Sequence, residues 1–141
     1  MALVSSLFKE EKMPKKELLL YAPVANADSY RLEEVVATVV PQPEMEMVHT
    51  PGGLFHRLRR LNNGLRVAVI LAAGRKELGE LLSLGLMLEG LRVILIIPDA
   101  DPQTISQGHR LRPRYISLID SDFQDVAAVL RRILRCSRST T

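Results

Sequence analysis

Tryptophan is absent from this 141-residue chain, cysteine occurs once, and the aromatic residues are only three Tyr and three Phe. The single thiol, Cys136, allows no intrachain disulfide, which suits a reducing compartment such as the cytoplasm. So few aromatic faces argue against a stacking platform for single-stranded nucleic acid. No apolar run approaches the ~18 residues needed to cross a bilayer, so no membrane span is expected. The N-terminus lacks the long apolar stretch of a secretory signal, and residues 1–16 read as a mobile or loosely docked leader. Internal repeats, low-complexity tracts and convincing linkers are missing too.

What is present is a core. Hydrophobic residues make up 47% and charged residues 25% of the chain, the balance of a single globular domain, here spanning residues 17–135 with a tail at 136–141. The net charge of +3 is concentrated in three places: Arg57, Arg59 and Arg60; His109, Arg110, Arg112 and Arg114; and Arg131, Arg132, Arg135 and Arg138. Solvated helix faces and favourable helix C-termini account for such clusters better than nucleic acid does.

The pattern of polarity sets the fold. The runs 65–73 and 91–98 carry almost no polar residue, as strands covered on both faces should. Glu44-Met45-Glu46-Met47 and Tyr115-Ile116-Ser117-Leu118-Ile119 alternate instead, as strands with one exposed face do. With a first strand at 17–22, helical patterns separate all five. One follows Asp28 with Leu32, Val35, Val36, Val39 and Val40 on a stripe, and Thr50-Pro51 opens the second, with Leu54, Leu58 and Leu61 inward and Asn63-Gly64 as its exit. A third is expected over 76–89, Asp101-Pro102 opens a fourth, and a fifth runs from Asp122 to about Arg135 with Ser121 and Gln124 as a capping box. The architecture implied is α/β, a three-layer αβα sandwich around a five-stranded parallel sheet. The order 2-1-3-4-5 places the two alternating strands at the edges, so it is preferred over a Rossmann-type half.

This order, the length and the stretch Tyr115-Ile-Ser-Leu-Ile-Asp-Ser-Asp-Phe123 followed by the amphipathic Gln124–Leu134 resemble the receiver domain of bacterial response regulators. The resemblance covers roughly residues 17–135 as a pattern. It implies a phosphoacceptor aspartate at the end of strand three, an Mg²⁺-holding acidic pair after strand one, a hydroxyl after strand four and a lysine after strand five. The sequence departs at each: Ala22-Pro23-Val24-Ala25, Leu71-Ala72-Ala73-Gly74, Pro98-Asp99 and Asp120-Ser121-Asp122 stand there. A degenerate, non-phosphorylatable receiver is therefore expected, with no enzymatic activity and no cofactor. It would act in regulation by contact with another protein, a homodimer included.

Four carboxylates, Asp99, Asp101, Asp120 and Asp122, would lie at the carboxyl edge, where open α/β sheets bind ligands. They support a small-ligand or divalent-metal site as the alternative, although helix capping explains most of them and Asp99 least. Ala72-Ala73-Gly74-Arg75-Lys76 lacks the spacing of a P-loop, and His49, His56 and His109 lack that of a zinc site. On helix three, Leu78, Leu81, Leu82, Gly85 and Leu86 are expected inward. Leu84, Met87 and Leu91 form a second stripe, offered with Arg110 and Arg112 as an interaction surface.

Overall fold

A computed structural model describes residues 16–24, 26–41, 44–60 and 64–139, with 136–139 as helical backbone. The leader up to residue 15, Ala25, Leu61, Asn63 and the Cys136 side chain lie outside the described residues or side chains.

Five strands, β1 (Leu18–Tyr21), β2 (Met45–Val48), β3 (Val67–Leu71), β4 (Arg92–Ile97) and β5 (Tyr115–Leu118), form one parallel sheet in the order 2-1-3-4-5. The apolar runs are interior and the alternating ones are the edges, as their polarity demands. Because side chains alternate along a strand, each interior strand feeds two cores. Leu18, Leu20, Val67, Val69, Ile94 and Ile96 pack to one face with residues of α1 (Ala27–Ala37) and α5 (Gln124–Ser139). Leu19, Tyr21, Ala68, Ile70, Leu95 and Ile97 pack to the other. There they meet α2 (Pro51–Leu58), α3 (Arg75–Leu82), and Leu111 just beyond α4 (Pro102–His109). Each fully buried aliphatic side chain contributes roughly 1.5–3 kcal/mol, so this double core is what orders the edges of the sheet.

The helix starts follow their caps. Thr50 accepts from the Gly53 amide at 2.9 Å ahead of Pro51, and Asp101 accepts from the Gln103 amide at 2.9 Å ahead of Pro102. Three expectations need correction. The cap of α1 is Asn26, whose side chain accepts from the Asp28 amide, so Asp28 sits inside the first turn, where its charge suits the helix dipole. The third helix is not continuous to residue 89: α3 stops at Leu82 and a 3₁₀ turn spans Gly85–Leu88. The Ser83 hydroxyl bonds the Glu80 carbonyl at 2.6 Å and Gly85 has poor helix propensity, so the tighter turn takes over. The phase of the side chains shifts with it. Leu86, expected inward, is 81% exposed, while Leu88 is buried.

The third correction is at α5, which begins at Gln124 and continues to Ser139. Ser121 accepts from the Phe123 amide and Asp122 from the Gln124 amide, so no Ser121–Gln124 capping box forms. Two consecutive side-chain turns bring Phe123 into a left-handed conformation with φ 62° and drop its ring into the first core.

Beneath that turn, Asp125 accepts from the Ser117 hydroxyl at 2.7 Å and the Tyr115 hydroxyl at 2.8 Å. Burial pushes its carboxyl up, but the hydroxyls of Ser117 and Tyr115 and the first amides of α5 outweigh that, leaving it below the usual value. A carboxylate lowered in the folded state stabilises the protein above the unfolded-state value and stops doing so as the pH falls through the lowered one. Asp125→Asn is therefore expected to flatten the acid limb of urea midpoints measured below about pH 4. A mutant acid limb as steep as the wild type would show that Asp125 carries none of it.

Candidate functional site at the carboxyl edge

Loops after β1, β3, β4 and β5 meet at the carboxyl edge of the sheet, the usual ligand side of such folds. Here their polar groups are spent largely on one another. Tyr21, the last residue of β1, is buried and its hydroxyl donates to Glu77 Oε2 at 2.5 Å. Glu77 Oε1 accepts from the Ala73 amide at 2.9 Å, so one carboxylate ties the ends of β1 and β3 to the first turn of α3. Gly74 caps α3 without a side chain, and Glu77, three residues in, reaches back past the cap to the Ala73 amide. Burial, and then the neighbouring Glu77 carboxylate, push the Tyr21 phenol far above its ordinary range, so it is a fixed neutral donor. His49 Nδ1 lies 3.0 Å from the Ala22 carbonyl and closes the same corner from β2.

A second group joins β3 to β4. Arg75 donates through Nε to Thr104 Oγ1 at 2.9 Å and through Nη1 to Gln103 at 3.2 Å, and it pairs with Asp101 at 2.9 Å. Asp99 accepts from the Asp101 amide at 3.0 Å. Its carboxyl is held below its usual value by the Thr104 hydroxyl first, then by that amide and Arg75. Thr104 is completely buried, so its hydroxyl belongs to this network alone. The third group holds the β5–α5 loop: Arg31 of α1 donates to the carbonyls of Ser121 at 2.8 Å and Ile119 at 2.9 Å. The same guanidinium pairs with Asp28 at 2.7 Å and lies 4.5 Å from the centre of the Phe123 ring.

The four carboxylates expected to form a site are thus divided. Asp99 and Asp101 order the start of α4, Asp122 turns the chain into α5, and Asp120 is exposed. Among the described residues no three His, Cys, Asp or Glu side chains are arranged to hold a metal ion. The residues after β1 are Ala22, Pro23 and Val24, which offer no carboxylate, so they do not fit the Mg²⁺ that receiver chemistry uses. Tyr21, Glu77, Arg31, Arg75 and Thr104 were not visible as partners in the sequence. Only Glu77, following the turn at Gly74, carried a local signal, that of an N-terminal capping glutamate.

Of the surface residues singled out from sequence, Leu91, Arg110 and Arg112 line one cleft of about 510 Å³ at the opposite, amino edge. Leu84 and Leu91 are half-buried against the second core, and Met87 is half-buried between them in sequence.

No protein-family model and no curated protein matches the chain. Solved structures do. A response regulator receiver protein from Pseudoalteromonas atlantica superposes with TM-score 0.66 at 11% identity, over 85% of this chain and 98% of its own. A pilus assembly-related protein of Burkholderia pseudomallei matches with TM-score 0.62 at 18% identity, over 84% and 90% of the two chains. A pilus assembly protein of Burkholderia thailandensis gives 0.61 at 18%, over 84% and 98%. The fold of this chain is that of response regulator receivers. No helix among the described residues is long and apolar enough to cross a membrane.

Proposed function

We propose that the chain is a pseudo-receiver, a receiver-like module that takes no phosphoryl group and acts in the cytoplasm by binding another protein. The supporting observation is the carboxyl edge itself. Phosphoryl transfer to aspartate needs a carboxylate nucleophile, a hard cation on carboxylate oxygens and a cation facing the developing charge. The end of β3 offers Ala72 and Ala73 instead, the loop after β1 has no acid, and the loop after β5 has no lysine. The nearest carboxylate, Glu77, is already committed to Tyr21 and the Ala73 amide. With this chemistry gone, what remains is surface, and a second copy of the chain is one partner that the surface allows. The neighbours named for pilus assembly support a setting in which such a fold serves as an assembly or regulatory contact. Incubation with acetyl phosphate and Mg²⁺ followed by intact-mass measurement is expected to leave the chain unmodified; a phosphoryl adduct would overturn the reading.

A further inference from the structure

We propose that two copies of the chain pair about a twofold axis through the amino-edge cleft between the 3₁₀ turn and the α4–β5 connection. Leu86 of each protomer seats in the cleft of the other, and Glu89 of each faces Arg110 and Arg112 of the other. The inference deepens the interaction reading above by naming its surface and its partner.

The patch complements itself. Leu86 projects as the most exposed large aliphatic residue described, 81% accessible, with Gly85 beside it and Gly90 just beyond. A methyl at Gly90 would touch nothing within 4 Å, so no side chain there screens the approach. Leu86 stands on the rim of a cleft of about 510 Å³, which it helps to line together with Leu82, Leu88, Leu91, Val93 and Leu111. Protrusion and recess therefore share one surface, the condition for an isologous contact in which the same residues meet in reversed roles.

Charge follows the same logic. Glu89, Arg110 and Arg112 border the cleft and are all exposed. Among the described residues none of the three has an ion pair within the chain. Glu89 is in line with an arginine-bearing partner, and the two arginines with a glutamate-bearing one; a second copy satisfies both at once. A partner of a single sign would satisfy one side and leave the other facing like charge. Arg112, which lines the cleft, sits at φ 54°, a left-handed conformation that ordinary residues avoid.

Sedimentation velocity on the full chain, across the micromolar to millimolar range, tests the pairing. A concentration-dependent monomer–dimer equilibrium is expected. Leu86→Glu, at a position exposed in the monomer, should keep the thermal midpoint and weaken the dimer by at least about tenfold, the effect expected of a central apolar contact. Glu89→Arg alone and Arg110→Glu/Arg112→Glu together should each weaken it as well. Mixing the two should restore pairing as a heterodimer, because both contacts then again join opposite charges. A chain that stays monomeric at every concentration, or a dimer indifferent to Leu86→Glu, overturns the proposal. Either result leaves the pseudo-receiver reading standing, since that reading is decided by phosphoryl uptake.

Discussion

Phe123→Ala is expected to lower stability by about 3–5 kcal/mol, the range for deleting a large buried aromatic side chain. The ring is fully buried in the core between the sheet, α1 and α5, and Arg31 stacks on it at 4.5 Å. Its backbone is left-handed, with φ 62°, which costs a bulky residue about 1–2 kcal/mol. The ring must therefore contribute more than that strain takes away. Phe123→Gly loses the same ring but relieves the left-handed backbone, and that relief roughly offsets the usual cost of glycine. It should be no less stable than Phe123→Ala, the reverse of the ordering at most buried sites. Urea midpoints of the three proteins check both statements. A loss below about 1 kcal/mol for Phe123→Ala would mean that the β5–α5 turn is held by Arg31 and its carbonyl contacts without the ring.

Ala72→Asp is expected to cost a comparable amount, roughly 3–5 kcal/mol, as a buried carboxyl group without a compensating charge does. Ala72 is fully buried in the second core, and its amide is already bonded to the Ile96 carbonyl at 2.9 Å. Glu77, held nearby through Tyr21 and the Ala73 amide, adds like-charge repulsion. Ala73→Asp, one residue on and exposed, should cost far less, about 1 kcal/mol or below. The contrast is instructive for function. An aspartate at position 72 is disfavoured because the end of β3 packs small apolar residues beside the Glu77 carboxylate. If Ala72→Asp proved nearly neutral, the carboxyl edge would have to be more open than its hydrogen bonds indicate.

The sheet was legible because burial writes itself into a strand directly. Val67–Leu71 and Arg92–Ile97 are covered on both faces and carry almost no polar side chain, whereas Glu46 on β2 is half-buried at an edge; on β5 the alternation misleads, since Ser117 is buried against Asp125 while Ile116 and Leu118 are only half-buried. The caps at Thr50 and Asp101 were legible for the same local reason, since cap and helix lie within a few residues. The break after Leu82 was not. A stripe of leucines fits one long helix, and only the competing hydrogen bond of Ser83 together with Gly85 decides for a 3₁₀ turn. That decision moved Leu86 from the expected core to the surface. The carboxyl-edge network was invisible for a different reason. Tyr21 and Glu77 are 56 residues apart, and Arg31 reaches carbonyls 88 and 90 residues away. Periodicity carries no information about such pairs.

The central claim, that this receiver fold has lost its phosphoryl chemistry, is tested most directly by intact-mass spectrometry of the full chain after incubation with acetyl phosphate and Mg²⁺. A phosphorylatable receiver protein treated alongside should gain a phosphoryl adduct, which shows that the donor is active. The account predicts an unchanged mass for this chain at every incubation time. A phosphoryl adduct that forms only with Mg²⁺ and is lost on acyl-phosphate cleavage with hydroxylamine would contradict it.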